Sequence, residues 1–341
     1  MSSMDHSSDN SHSTPETPSI EERPLDPSAE NPEPGPQRVR TTAKGDSSYL
    51  FFKNLRELLD MIKFEHTVFA LPFALLGGLA AAQGIPPLRT SLWILAAMVG
   101  ARTAAMTFNR LVDADVDAEN PRTATRALPA GRVSRASAMA LLGAGIVLFG
   151  LSAGALGPLP WALSPLALVI ILGYSLCKRF TAWAHVVLGL SLAGAPLGAW
   201  IAVAGKIVPE AIWLSAGVLA WTAGFDILYS LQDERFDRSK GLHSVPSRIG
   251  TQGALWLSRG LHVLALACWA AFNVRMGSHF WPWAGWAMVA AMLAKEQWIV
   301  RDGDLSRIDQ AFFTINSFVG LVFFVGHALE WWVSTRLLAP L

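Results

Sequence analysis

The sequence predicts an all-α, polytopic membrane protein with about nine transmembrane helices, and three observations carry that prediction. Of its 341 residues, 52% are apolar and only 16% charged, with a mean hydropathy of +0.36. A soluble domain needs about one residue in four charged to cover its surface. The apolar residues gather in runs close to the roughly 20 helical residues that cross a hydrocarbon core. Positive charge falls mostly on alternate connections between these runs. Together these exclude an ordinary water-soluble enzyme. The two cysteines, Cys177 and Cys268, supply neither a zinc framework nor a disulfide scaffold. A net charge of +1 argues against nucleic acid as the main partner.

Taken in order, residues 1–48 hold four basic residues against nine acidic ones and no apolar run. Rich in Ser, Pro and Glu, they bury too little surface to offset chain entropy and are expected to be disordered. No signal peptide is expected there. Residues 49–341, with 23 basic and 17 acidic residues, form the membrane domain. Tyr49–Phe64 mixes apolar and charged positions at helical spacing, which suits an amphipathic helix lying at the interface. The expected spans are His66–Ala82, Thr90–Val112, Ala136–Leu156, Trp161–Cys177, Trp183–Ala204, Ala211–Leu231, Ala254–Phe272, Phe280–Ile299 and Gln310–Val333. Runs this long, without alternation, suit helices and not barrel strands. With a cytoplasmic N-terminus, the cytoplasmic connections carry 15 Lys and Arg residues. The opposite side has four: Arg89, Lys206, Arg275 and Arg336. That asymmetry places the C-terminus outside and both long charged loops at the cytoplasmic face of an inner-type membrane. Glycines and prolines along Gly189–Gly205 would let helices approach closely.

Two connections carry the chemistry. After the second span, Asn109, Asp113 and Asp117 recur at i, i+4 and i+8, sharing one face if the helix continues that far. After the sixth, Asp226, Asp233 and Asp237 recur at i, i+7 and i+11, again on one helical face, with Tyr229 beside them. Solvated loop acids, loosely paired with nearby arginines, are the bland alternative. Two such sets on one membrane side, each continuing a span, weigh against it, as does Asp226 inside an apolar run. Clustered carboxylates suit a hard divalent cation, and Mg²⁺ takes one or two of them plus substrate phosphate oxygens. Lys178, Arg179, Arg122, Arg126 and Lys240 supply positive groups on the same side for a phosphate. Asp113, Asp115 and Asp117 resemble the start of a calcium loop, but Ala118 replaces its turn glycine and Ala124 its bidentate Glu. No nucleotide-binding glycine loop is present, so a diphosphate with a hydrocarbon tail fits best.

These motifs resemble those of the UbiA-type intramembrane aromatic prenyltransferases over roughly residues 50–335. The first signature is Asn109, Asp113, Asp117, Arg122, Thr123, Arg126, Leu128, Pro129 and Gly131. The second is Asp226, Tyr229, Asp233 and Asp237, with Tyr174, Lys178 and Arg179 between them. Arg110 departs from the acid many members carry after the asparagine. The resemblance is strongest to the branch that prenylates small aromatic acids in ubiquinone or menaquinone biosynthesis. It implies helices around a central cavity open to the cytoplasm. It also implies Mg²⁺ held between Asn109, Asp113 and Asp117 on one side and Asp233 and Asp237 on the other. Lys178, Arg179, Arg122, Arg126 and Lys240 would bind the diphosphate of a polyprenyl substrate. Tyr229 and Tyr174 would flank an allylic cation, and Asp226 would orient or deprotonate the acceptor hydroxyl. Arg102, two turns deeper than Asn109, would bind the carboxylate of 4-hydroxybenzoate or a 1,4-dihydroxy-6-naphthoate, the alternative being a structural pair with a neighbouring helix's carbonyl or with Glu65. No obligate protein partner is implied. The alternatives are a transporter of an anionic metabolite, or a family member acting on haem, chlorophyllide or glycerol phosphate.

Overall fold

The computed structural model describes residues 67–301 and 314–337, together with Glu57, Leu58, Met61 and Ile308. The tail at 1–48, and all but three residues of the interfacial helix expected at Tyr49–Phe64, lie outside the described residues. The described elements are α1 (Thr67–Ala82), α2 (Leu88–Glu119), α3 (Arg135–Leu156), α4 (Pro158–Cys177), α5 (Ala184–Ala204) and α6 (Pro209–Ser230). A 3-10 turn, Leu231–Asp233, leads to α7 (Glu234–Ser239), α8 (Val245–Arg275), α9 (Phe280–Ile299) and α10 (Asn316–Leu337).

Within the described residues, each expected span falls on a helix. Among the described residues seven of these, α2 to α6, α8 and α10, are long and apolar enough to cross a membrane. α1 has 16 described residues. α9 has four tryptophans, Trp281, Trp283, Trp286 and Trp298, and ends on Lys295, Glu296 and Gln297, which dilute its apolar character. The count of nine therefore stays an expectation, while the polytopic helical class holds.

α6 lies at the centre, 72% buried over its apolar window, whereas α3 and α4 are only 17% buried. Val147, Leu151, Leu166 and Val169 are each more than half exposed on those outer helices. Such a continuous apolar surface is unfavourable in water and costs nothing against lipid tails.

Because lipid removes the hydrophobic drive between helices, close backbone packing must hold the bundle together. Gly100 and Gly145 meet where α2 crosses α3. A Cβ on Gly100 would stand 2.6 Å from the Phe149 nitrogen, and one on Gly145 would stand 2.8 Å from that of Ala104. α5 approaches α6 in the same way, a Cβ at Gly189 standing 2.4 Å from the Leu219 carbonyl oxygen. In the core, Phe73 stacks on Trp269 at 5.3 Å, with Trp221 and Phe323 packed around them. A buried polar chain ties α6, α9 and α10. Trp221 Nε1 donates to Asn316 Oδ1 at 2.8 Å, and Asn316 Nδ2 donates to Glu296 Oε1 at 2.6 Å.

Gly145→Ile should lower stability to thermal unfolding in detergent by about 1–3 kcal/mol, because overpacked atoms there meet backbone. Gly143→Ala adds a Cβ with no atom within 4 Å and should stay within about 0.5 kcal/mol of the parent.

Candidate active site

α2 is 32 residues long, roughly 48 Å at 1.5 Å per residue, well beyond a hydrocarbon core of about 30 Å. Its last turns therefore extend past the apolar layer, and they remain helical to Glu119. Asn109, Asp113 and Asp117 accordingly follow one another on a continuous helix, with Asn109 Nδ2 donating to Asp113 Oδ2 at 2.8 Å.

The second acidic set is built differently from the single helical face expected. α6 stops at Ser230, and the 3-10 turn separates Asp226 on α6 from Asp237 on α7. The chain then folds back: Leu242 N–H donates to the Asp237 carbonyl at 2.8 Å, and His243 N–H to the Lys178 carbonyl at 2.7 Å. A capping box between Ser244 and Ser247 opens α8, satisfying backbone donors that have no acceptor within the helix. The break brings Asp233 and Asp237 inward, both buried.

Both acidic sets line one cavity of about 910 Å³. Every residue nominated from the sequence lines it except Lys240, which is exposed and ion-paired with Glu119. Asp117 takes both oxygens to Arg126 Nη1, at 2.6 and 2.7 Å, with Arg110 Nη1 at 3.8 Å. Asp233 receives the Arg122 guanidinium at both oxygens, Nε donating to Oδ1 at 3.0 Å and Nη2 to Oδ2. Asn120 Nδ2 reaches the same Oδ1 at 3.4 Å. Burial opposes the Arg122 charge, but the hydrogen bond and charge of Asp233, helped by Tyr229 and Asp117, hold its pKa above the usual arginine value. Lys178 Nζ lies 4.0 Å from Asp237 Oδ2. Arg179 Nη2 donates to the Val112 carbonyl at 2.7 Å, pinning α4 to α2. The Arg122 guanidinium sits 5.6 Å from the Tyr229 ring centroid.

Deeper in the bundle, a second, mostly apolar cavity of about 250 Å³ adjoins the first. Arg102, Met106, Tyr174, Leu188 and Leu192 line both. Arg102 and Tyr174 thus stand where polar and apolar walls meet.

Sequence reasoning missed three contributors. Asn120 joins the two acidic sets, and Arg110, noted only as a departure from the family pattern, is buried against Asp117. His185, fully buried, bonds Asp226 through Nδ1 at 2.7 Å. A lone histidine at the head of an apolar run carries no local signal, and its partner is 41 positions away.

Among the described residues, no three His, Cys, Asp or Glu side chains are gathered as a metal cage. An amide faces Asp113, an arginine Asp117 and Asp233, a lysine Asp237, and an imidazole Asp226. The donor set nonetheless fits a hard cation that keeps waters and phosphate oxygens in its shell. Asp237 Oδ2, buried without a hydrogen bond, remains on the cavity wall.

These features define a class: intramembrane helical proteins whose charged cavity opens beside an apolar one, a shape suited to an amphiphile with an anionic head. Residues 70–318 match the UbiA prenyltransferase family. A 4-hydroxybenzoate octaprenyltransferase of Chromohalobacter salexigens is 31% identical over 256 residues, covering 74% of this chain and 84% of its own. The apo structure of a UbiA homologue from Aeropyrum pernix K1 superposes with a TM-score of 0.71 at 35% identity, covering 78% of this chain and 98% of that one. A UbiA homologue from Archaeoglobus fulgidus, bound to DMAPP and Mg²⁺, shares the fold at a TM-score of 0.66 and 20% identity, covering 80% and 99%. The chain belongs to the UbiA prenyltransferase family and is a prenyltransferase, which sets the transporter alternative aside.

Arg122→Ala should release the loop after α2 from the 3-10 turn. Amide hydrogen exchange at residues 120–126 should rise at least tenfold, the opening equilibrium that follows loss of about 1.5–3 kcal/mol of charged hydrogen bonding. Exchange in α3 should stay unchanged.

Proposed function

We propose that this enzyme transfers a polyprenyl group from a polyprenyl diphosphate to a small aromatic acid, of the 4-hydroxybenzoate or 1,4-dihydroxy-6-naphthoate type, with Mg²⁺. The observation that supports this most is the union of two acidic sets with Lys178, Arg179 and Arg122 in one cavity that adjoins an apolar one. That arrangement suits a diphosphate head and a hydrocarbon tail at once. The names of the curated relatives support the aromatic acid.

Asn109, Asp113 and Asp117 would hold the metal on one side, and Asp233 and Asp237 on the other. Mg²⁺ supplies positive charge against the diphosphate when bound there. Lys178, Arg179, Arg122 and Arg126 add fixed positive charge around the leaving group, favouring heterolysis of the allylic C–O bond. Lys240, paired with Glu119 and off the cavity wall, contributes at longer range. Tyr174 and Tyr229 offer ring faces to the allylic cation, and the tail runs into the apolar cavity. Arg102, at the junction, would take the acceptor carboxylate, while Asp226 faces its hydroxyl. The domain spans residues 49–341 behind a tail at 1–48, and the cavity opens to the cytoplasm of a bacterial-type inner membrane, with the C-terminus outside.

Membranes carrying the enzyme, given Mg²⁺, a polyprenyl diphosphate and each acid separately, should yield one prenylated acid by mass spectrometry. Product only with haem, chlorophyllide or glycerol phosphate would overturn the acceptor class. Chelation by EDTA should abolish turnover and Mg²⁺ restore it. Asp113→Ala and Asp237→Ala should each lower kcat/KM by at least 100-fold, about 2.7 kcal/mol of transition-state stabilisation. Arg102→Leu should raise the acceptor KM at least tenfold and that of the prenyl donor less than twofold.

A further inference from the structure

Behind the cavity wall, Asp226 is bonded to a residue that has no role so far, His185. His185 is completely buried at the start of α5, and Asp226 sits on the facing turn of α6. Nδ1 of the imidazole lies 2.7 Å from Asp226 Oδ2. On its other edge, Nε2 accepts a hydrogen bond from the Val245 N–H at 3.3 Å. Val245 is the first residue of α8, and a first-turn amide has no acceptor within its own helix. Because Nε2 accepts, it carries no proton. The proton of the neutral ring is therefore on Nδ1, which donates to Asp226. Both ring nitrogens are satisfied, and the tautomer is set by backbone geometry that the Ser244 capping box holds in place. The contact ties up Oδ2 of Asp226 and leaves Oδ1 for a ligand, since Asp226 lines the cavity and keeps a side-chain exposure of 22%.

We propose that His185 is a positioning residue for the reaction of this cavity, fixing Asp226 so that Oδ1 receives the hydroxyl proton of the aromatic acceptor. This rests on the prenyl-transfer reading above. Asp226 Oδ1 takes the proton as the acceptor O–H bond breaks, and the electron pair stays on the acceptor oxygen and flows into the ring. The C1–O bond breaks with its pair on the diphosphate, and a ring carbon uses its π pair to bond C1 of the allylic cation so formed. The ring then loses its displaced proton to the diphosphate product as Asp226 returns its own to the oxygen. Asp226 ends as it began. A carboxylate held on one side by a fixed N–H keeps a single orientation; without it the side chain samples several, and the fraction aligned for transfer falls.

Kinetics on purified full-length enzyme in detergent test this. His185→Ala should lower kcat at least tenfold with the prenyl donor KM unchanged, and Asp226→Asn should lower it further. The double variant should be no slower than Asp226→Asn alone, because His185 acts only through that carboxylate. His185→Gln, whose amide can donate to Asp226 and accept from Val245, should recover at least a third of kcat. A ring-fluorinated acceptor, with its more acidic hydroxyl, should narrow the gap between His185→Ala and the parent. A merely structural histidine would not respond to that change. Parent-like kcat in His185→Ala, additive losses in the double variant, or an unchanged gap with the fluorinated acid would overturn the proposal. Should His185→Ala fail to fold, the Gln variant and the fluorinated acceptor decide it by the same criteria. A parent enzyme that prenylates no aromatic acid would overturn the underlying reading and this inference together, a result distinct from any of those.

Discussion

The clasp between Arg122 and Asp233 is the interaction on which the site's geometry depends. It joins the loop after α2 to the turn after α6, two segments that the sequence holds 111 positions apart. Without a bound cation, acids gathered on one cavity repel one another at a cost that rises as the local dielectric falls. Arg122, Arg126 and Lys178 offset that repulsion, and their own charges remain available to an anion. Paired acids and bases of this kind hold the cavity open and polar at the edge of the apolar layer. Asp233 is buried whereas Arg122 keeps about a third of its side chain exposed, so removing Arg122 leaves a buried carboxylate without its partner, the costlier of the two truncations.

The fold explains why the acids face one another and not solvent. Close backbone contact at Gly100, Gly145 and Gly189 seats α2, α3, α5 and α6, and it needs no hydrophobic drive of the kind lipid removes. α2 stays helical through its acidic set, and α6 breaks into a 3-10 turn, so both acidic sets line the same cavity. The apolar cavity lies directly beneath, between helices whose outer faces are dressed for lipid. An amphiphile could then keep its tail among apolar walls while its head meets the charged ones, with little of either desolvated unfavourably.

Much of this was legible in the residues. The polytopic helical class followed from composition and run length, and within the described residues every expected span falls on a helix. The four-residue spacing of Asn109, Asp113 and Asp117 marks a helix face, and the helix is there. The spacing of Asp226, Asp233 and Asp237 suggested a face too, but the 3-10 turn interrupts it, since nothing local in the stretch YSLQDER announces a change of pitch. Lys240, adjacent in sequence to the acidic set, ends up off the cavity wall and paired with Glu119, because the chain reverses between Asp237 and His243. Chain proximity is a poor guide where a turn intervenes.

What the chain determined alone was whatever depends on periodicity and on the sign of charge: helices, membrane class, and two acidic sets amid basic residues. Those are properties of short windows, and a helix exposes them at fixed intervals. Only the tertiary structure decided which charges pair, that the two sets share one cavity, that an apolar chamber adjoins it, and that His185 grips Asp226. Such contacts join residues far apart in the chain, and they arise from how helices cross, an outcome of packing that no short window contains.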